Sequence, residues 1–459
     1  MATYSFGRLS LHVRNERDQG RVGESITASV ALDVGRAVGT DADSVLVGRD
    51  ARDSGRTLRD ALVAGLQETG TDVVDVGLAA TPTVARGIAP READAGVVVT
   101  ASHNPPEDNG LKLWTPSGQA FSTTQQEAVA ERIRETDFDL AEWDEQGTHR
   151  TWDDATARHR EALVETGRRD AAAGDADLSS LSVVVDVGNG MGGVTADALY
   201  ELGVDVETLN AQPDGRFPAR PSEPTAETCT TLAATVPAVG ADLGIAHDGD
   251  ADRMMAVSDD GEFVPGDLLL ALFGREEAGS GDRVAAPVNT SLAVADALAT
   301  VGAEVVHTRV GDVSVAERAR DPAVAFGGEP SGAWIFPDET LCPDGPLAAV
   351  KLAVLAAAEP ISDRLARIDR YPIRRATVET DAKDAAMETV DGAVRERYDD
   401  VTALDGVRVE TADGWFLIRP SGTQPLIRLT AEARDPEAAA ELLSAARSIV
   451  ETAVESASA

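Results

Sequence analysis

The chain has 459 residues, 43% of them hydrophobic and only 4% aromatic, which exceeds what one hydrophobic core serves and predicts several domains packed with Val, Leu and Ala. A formal net charge of −38 repels nucleic acid and anionic membranes, so neither is expected as a partner, and any phosphate must be held by local arginines and backbone amides. Cys229 and Cys342 lack metal-ligand spacing, no apolar run is long enough to span a membrane and the N-terminus has no signal-peptide core, so a soluble cytoplasmic protein with reduced thiols is expected.

Residues 1 to 24 stand apart: Arg8, Arg14, Arg17 and Arg21 face only Glu16, Asp18 and Glu24, and hydrophobic periodicity is poor. From Ser25 the pattern is regular, with a helix over 27–38, a strand over 45–48, a helix over 56–68, a strand over 73–76, a short helix after Pro82 and a strand ending at Thr100. Strands alternating with helices predict parallel pairing in an α/β domain. The turn Gly48-Arg49-Asp50-Ala-Arg52-Asp53-Ser54-Gly55 reads first as a helix cap and second as a loop beside an anionic site.

The strand Val97-Val-Val ends in Thr100-Ala-Ser102-His103-Asn104-Pro105, and Lys112, one of only three lysines, follows a turn ten residues on. A serine at a strand's carboxyl end lies where open α/β sheets place their chemistry, and a neighbouring lysine could lower its pKa or carry its proton. The alternative is a capped turn and an ordinary surface cation.

Polar, helical-looking sequence over 123–173 leads to a second strand, Val183-Val-Val-Asp186, and the glycine-rich turn Gly188-Asn189-Gly190-Met-Gly192-Gly193, either a phosphate approach or a tight crossover. Next comes Leu243-Gly-Ile-Ala-His247-Asp248-Gly-Asp250-Ala-Asp252-Arg253. Three carboxylates spaced by two can bend around one hard cation such as Mg2+. With 79 acids such spacing arises by chance about twice, but here it follows an apolar strand and ends in arginine.

A third cycle predicts strands over 284–286, 305–308 and 323–326. Its loop Gly327-Gly328-Glu329-Pro330-Ser331-Gly332-Ala333 offers a carboxylate and a hydroxyl suited to sugar hydroxyls, or is a plain turn. The last segment presents Arg419-Pro-Ser421-Gly422-Thr423 after an apolar run, an anion nest with bidentate donors. An amphipathic helix over 436–454 closes it.

Taken in order, Thr100-Ala-Ser-His-Asn-Pro105, Asp248-Gly-Asp-Ala-Asp-Arg253, Gly328-Glu-Pro-Ser-Gly332 and Arg419-Pro-Ser-Gly-Thr423 resemble the α-D-phosphohexomutase family over roughly residues 25 to 445. The resemblance implies three related α/β domains with mixed sheets and a smaller α+β C-terminal domain around a central cleft, with boundaries at 1–150, 151–256, 257–368 and 369–459. It implies Ser102 as the phosphoserine with Lys112 as its catalytic neighbour, and Mg2+ held by Ser102, Asp248, Asp250 and Asp252. Arg253, Glu329 and Ser331 would read the sugar, and Arg419, Ser421, Gly422 and Thr423 would grip its existing phosphate. The implied partners are a hexose phosphate and its 1,6-bisphosphate intermediate, the phosphoryl group moving between O6 and O1. The Gly-Glu-Pro-Ser-Gly loop is similar to archaeal phosphoglucosamine mutase-like members, which ranks glucosamine 6-phosphate ahead of mannose and glucose phosphates.

Two departures bear on activity. Family members carry His after the sugar-loop glycine, where this chain has Ala333, and an N-terminal Phe-Gly-Thr-x-Gly-Ile-Arg-Gly, where it has Phe6-Gly7-Arg8-Leu-Ser-Leu-His12. The second reads as a shifted reading frame or a diverged start. Both keep open an impaired sugar-phosphate binding paralogue, beside a phosphatase-like enzyme using the same serine loop.

Overall fold

A computed structural model describes residues 19–421 and 424–458. They form two compact units, the first running to Val264 and including Ser331–Asp363, the second made of Pro265–Pro330 and the chain from Arg364 onward.

The first unit begins with β1 (Gln19–Arg21), α1 (Ala28–Gly39), β2 (Ser44–Arg49), α2 (Gly55–Glu68), β3 (Asp72–Leu78), α3 (Thr81–Gly87), β4 (Ala95–Val99), β5 (Asp108–Trp114), α4 (Thr123–Glu135), β6 (His149–Thr151) and α5 (Ala155–Gly174). Six strands pair in the order β1-β5-β4-β2-β3-β6, with β4, β2, β3 and β6 parallel, β5 antiparallel to β4, and the edge strand β1 antiparallel to β5. Strand alternation divides the core: Val45, Val47, Val97 and Val99 pack with Leu58 and Leu62 on one face, while Leu46, Val74 and Val98 pack with Val84, Ile88 and Trp114 on the other. Helices α1 and α2 meet at two glycines, because a Cβ on Gly35 would lie 2.3 Å from the Leu62 carbonyl and one on Gly65 2.1 Å from that of Leu32.

Two expectations need correction here. Residues from Gln19 do not stand apart, since β1 pairs with the start of β5 through Gln19↔Gly110 and Arg21↔Asp108; residues 1–18 lie outside the described residues. The stretch 123–173 is not continuously helical: Thr136 ends α4 in the left-handed conformation (φ 57°), and β6 then returns to the sheet edge beside β3. Its side chains are exposed and polar, so no apolar alternation announced it.

A second sheet in this unit is built from β7 (Ser182–Asp186), α6 (Gly193–Glu201), β8 (Asp205–Leu209), α7 (Thr230–Val239), β9 (Leu243–His247) and β10 (Met254–Ser258), in the order β10-β9-β7-β8. Only β10 is antiparallel, reversing directly after β9.

The second unit opens with α8 (Gly266–Glu277), β11 (Arg283–Pro287), α9 (Leu292–Ala299), β12 (Glu304–Thr308), α10 (Asp312–Ala319) and β13 (Val324–Gly328). Its strands β12, β11 and β13 are parallel. The chain passes back through the first unit with β14 (Trp334–Ile335) and α11 (Gly345–Ala358), and α12 (Ile361–Leu365) follows. The rest is β15 (Ile373–Glu379), α13 (Lys383–Arg395), β16 (Val401–Ala403), β17 (Val407–Glu410), β18 (Gly414–Pro420), β19 (Leu426–Ala433) and α14 (Pro436–Ser458). These strands form an antiparallel sheet in the order β15-β19-β18-β17-β16, one face packed on α13 and α14 and the other placing Trp415 and Leu417 against Val288. The architecture is thus α/β, three mixed or parallel sheets followed by a five-stranded antiparallel C-terminal one.

Asp267 in the first turn of α8 accepts the Ser291 N–H at 2.9 Å, and burial, reinforced by the nearby Glu432 carboxylate, lifts its pKa to about 6. A raised acid pKa means the native state holds the proton more tightly, so this contribution is present below about pH 4 and lost as pH rises through about 6. Asp267→Asn is therefore expected to be the more stable protein at pH 7, by on the order of 2 kcal/mol, with the advantage vanishing near pH 4. Thermal unfolding of both proteins across that range checks it.

Candidate active site

The site in the first unit forms where the carboxyl ends of β4 and β9 meet. Apolar β4 runs fully buried to Val99, and Ser102 follows in the left-handed region (φ 48°), a strain of about 1 kcal/mol that most residues avoid. The Ser102 N–H donates to Thr100 Oγ1 at 2.9 Å, and its hydroxyl donates to Asp248 Oδ2 at 2.7 Å and Asp252 Oδ1 at 3.4 Å.

Asp248, Asp250 and Asp252 occupy the reversal between β9 and β10, which turns three alternate carboxylates toward one point: one oxygen from each lies within 4.8 Å of the others, and all three residues are buried. Lys112, on β5, reaches Asp250 Oδ2 at 3.0 Å and contacts Asp252. Thr81 at the start of α3 donates its hydroxyl to Asp250 Oδ2 at 2.6 Å. Burial and the Asp252 and Asp250 charges push the Asp248 carboxyl well above its usual range. Burial also raises Asp250, but Lys112 and the hydrogen bonds it and Thr81 supply outweigh that and hold it at about 2. His103 is kept neutral, its pKa lowered to about 3 by burial and by the Arg253 and Lys112 charges.

One lysine among three buried carboxylates leaves negative charge uncompensated, and Asp250 Oδ1 is a buried oxygen without a hydrogen-bond partner. An all-carboxylate donor set with such an oxygen fits a hard divalent cation. The triad can therefore hold a metal ion.

The turn between β2 and α2 works differently from a helix cap, since Ser54 makes no side-chain capping bond. Instead Arg52, fully buried, pairs with Asp50 at 3.0 Å and donates to the carbonyls of Ser102 (2.9 Å), Asn104 (2.7 Å), Asp108 (3.0 Å) and Pro105. Asp50 Oδ2 also accepts the Thr100 hydroxyl at 2.7 Å, and Ser222 donates to the Ser102 carbonyl at 2.8 Å. Arg52 thus ties both ends of the serine loop to one plane of donors. Because β2 and β4 are parallel neighbours, their carboxyl-end loops are adjacent; in the sequence the one signal for Asp50 and Arg52 was a turn directly after an apolar strand. Thr81 and Ser222 carried none.

The glycine-rich turn after β7 is a tight crossover: Met191 N–H donates to the Gly249 carbonyl at 3.0 Å, and a Cβ on Gly190 would lie 2.6 Å from that same oxygen. Its glycines admit the aspartate loop's backbone.

Arg253 also belongs to this site, its N–H donating to Asp248 Oδ1 at 3.2 Å. Ser331 lies nearby in the chain's return, where the Met254 N–H donates to the Gly332 carbonyl at 2.9 Å and Ala333 bridges Arg253. Ala333 is buried there, and its methyl group supplies no acid or base.

Glu329, Arg419 and Ser421 are in the second unit. Glu329 accepts the Gly311 N–H at 2.7 Å. Arg419 pairs with Asp405 at 2.9 Å, stands opposite Arg428 across β18 and β19, and with Arg428 and Arg375 lines a cavity of about 490 Å³. Lys383 Nζ donates to the Ser421 carbonyl at 2.6 Å. Gly422 and Thr423 lie outside the described residues.

Three α/β layers followed by an antiparallel C-terminal sheet, with a serine aimed into an aspartate cluster, define a multidomain α/β protein of the phosphohexomutase class. Residues 13–140, 162–261 and 265–371 match the alpha/beta/alpha domains I, II and III of the phosphoglucomutase/phosphomannomutase family, and 374–448 match its C-terminal domain, so the chain belongs to that family. A probable phosphoglucosamine mutase of Methanopyrus kandleri is 46% identical over 449 residues, covering 95% of this chain and 97% of its own. One from Methanosarcina barkeri is 45% identical over 421 residues, 91% of this chain and 94% of its own. Among solved structures, a phosphoglucomutase/phosphomannomutase family protein from Burkholderia thailandensis superposes with a TM-score of 0.83 at 30% identity, over 95% of this chain and 96% of that one.

Among the described residues no helix is long and apolar enough to cross a membrane.

Proposed function

We propose that the chain is a Mg2+-dependent phosphohexomutase that moves a phosphoryl group between O6 and O1 of an aldohexose phosphate, with glucosamine phosphate as the preferred substrate. The observation that carries this reading is the Ser102 hydroxyl 2.7 Å from Asp248, inside a cluster of three buried carboxylates. The substrate preference rests on the phosphoglucosamine mutase relatives, similar along nearly the whole chain.

In this reading Ser102, carrying the phosphoryl group, gives it to the free hydroxyl of the sugar phosphate; the bisphosphate turns round, and the other phosphoryl group returns to Ser102. In the first transfer the sugar hydroxyl loses its proton as the departing Ser102 oxygen gains one; in the return transfer Ser102 gives its proton up through Asp248 as the departing sugar oxygen takes one, and Lys112 balances Asp250 and Asp252. Asp248, Asp250, Asp252 and the serine phosphate would hold Mg2+, which supplies charge neutralisation for a loose transition state. Arg253, Glu329 and Ser331 orient the sugar, and Arg419 with Ser421, Gly422 and Thr423 holds the phosphate that stays. The segments 1–150, 151–256, 257–368 and 369–459 contribute in turn the serine, aspartate, sugar and phosphate loops.

Incubating the purified protein in high salt with Mg2+, each hexose 1-phosphate separately and a trace of bisphosphate tests the proposal. Interconversion, fastest with glucosamine phosphate, is expected. Release of free phosphate would make it a phosphatase, and no turnover of any sugar a binding protein. Chelating the metal is expected to abolish interconversion and lower the unfolding temperature, because three carboxylates then share one lysine. Added Mg2+ restores both, and a melting curve indifferent to chelator would remove the metal from the aspartate loop.

A further inference from the structure

A second cavity, of about 590 Å³, lies between α3 and α5, away from the serine and the aspartates. Its wall carries Arg86, Arg91 and Arg158 with Asp154 as the lone acid. Behind the wall Arg86 is engaged by Asp344 through Nε, and on its rim Arg158 pairs with Glu161 through one terminal nitrogen at 3.0 Å. In a chain with 79 acids and 41 basic residues the three guanidinium groups thus come close to local balance, and Arg91 is the one whose charge meets the Trp152 ring instead of a carboxylate. Arg91 is stacked 4.2 Å above the Trp152 ring, and Trp152 and Pro90 add an apolar side to the same cavity. The ring is seated on Gly87, where a Cβ would lie 2.9 Å from it.

The floor leads toward the aspartate loop. Arg86 Nε donates to Asp344 Oδ2 at 2.6 Å, and buried His159 is hydrogen-bonded to Thr83 at 2.8 Å and lies 3.3 Å from the same Asp344 oxygen. Asp344 caps α11 through the Leu347 N–H at 3.0 Å, and its neighbour Gly345 is so close to the aspartate loop that a Cβ would lie 2.4 Å from the Arg253 carbonyl. From the other end of α3, Thr81 holds Asp250. One seven-residue helix therefore joins the cavity to the carboxylate cluster.

We propose that this cavity is a second ligand site, taking a small organic phosphate whose phosphoryl group lies among Arg86, Arg91 and Arg158 and whose carbon skeleton lies along Trp152 and Pro90. The volume exceeds what a phosphate ion fills, and arginine forks match phosphate oxygens bidentately. Through Arg86 and Asp344 on one side and Thr81 on the other, its occupancy is coupled to cation affinity at the aspartates, and coupling of that kind is reciprocal.

The test uses the full chain carrying Ser102→Ala and Arg419→Ala, so that the proposed active site contributes little phosphate binding, with inorganic phosphate or adenosine monophosphate as probe. The monophosphate is expected to raise the unfolding temperature by about 3 °C at a hundredfold excess over its Kd, and inorganic phosphate to raise it less. Adding Arg91→Glu and Arg158→Glu, or the milder Arg91→Gln and Arg158→Gln, removes the rise. No rise with either probe, or one that survives both pairs of substitutions, overturns the site; equal rises overturn the organic part of the assignment. With Ser102 and Arg419 intact, the monophosphate is expected to shift half-saturation by Mg2+ at least about twofold relative to the Arg91→Gln/Arg158→Gln protein, and an identical half-saturation overturns the coupling.

Discussion

Ser102→Ala is expected to eliminate hexose phosphate interconversion, a loss of at least about a thousandfold, while leaving the fold and the metal site in place. Alanine keeps the backbone at φ 48° at the same steric cost as serine, and the Thr100 hydroxyl still receives the residue 102 N–H. What disappears is the oxygen 2.7 Å from Asp248, and no other hydroxyl donates to that carboxylate among the described residues. Incubation with a hexose 1,6-bisphosphate labelled in its phosphoryl groups separates this from a general loss of binding. The wild-type chain becomes labelled and the variant does not, while Mg2+ still raises the unfolding temperature of both. Interconversion by the variant would sink the phosphoserine assignment.

The parts of the site that were legible in the sequence are those whose chemistry and spacing are local. Ser102 follows an unbroken apolar strand, and Asp248, Asp250 and Asp252 alternate within five residues directly after another, so both groups are placed at the carboxyl end of a sheet strand, where the chain must turn. The same holds for the fold: β2, β4 and β7 are buried and rich in valine, β3 has a buried valine pair and β9 is a short buried apolar run, and each was visible. What was not legible depends on which strands become neighbours. Asp50 and Arg52 sit in a turn that looks like a helix start, and only the β4-β2 pairing brings that turn under the serine loop. Strand β6 escaped because His149, Arg150 and Thr151 are all exposed at a sheet edge and carry no apolar signal. The pairing of β1 escaped because Gln19, Gly20 and Arg21 bond through backbone alone.

Arg52 supports the second large effect. Its guanidinium is 0% exposed, and it satisfies four carbonyl oxygens of the serine loop as well as Asp50. Burial already lifts the Asp50 carboxyl above its ordinary pKa although Arg52 pulls it down, so the carboxylate depends on its partner. Arg52→Ala takes the counter-charge from buried Asp50, which keeps only the Thr100 hydroxyl and the residue 52 N–H, and removes a donor from the carbonyls of Ser102, Asn104, Pro105 and Asp108, a cost of about 3–5 kcal/mol that unfolding measurements will show. Arg52→Lys separates folding from function. A lysine keeps the charge beside Asp50 but offers one compact donor group, unable to span carbonyls that a planar fork with five N–H groups holds together. The lysine variant is expected to fold with a smaller loss of stability and to show kcat reduced by about a hundredfold, because displacing a reacting group by about 1 Å costs that much. Substrate KM should change little, since Arg52 lies beneath the serine loop and donates to its backbone. A lysine variant with wild-type kcat would show that the serine loop holds its position without the guanidinium, leaving Arg52 a purely structural residue.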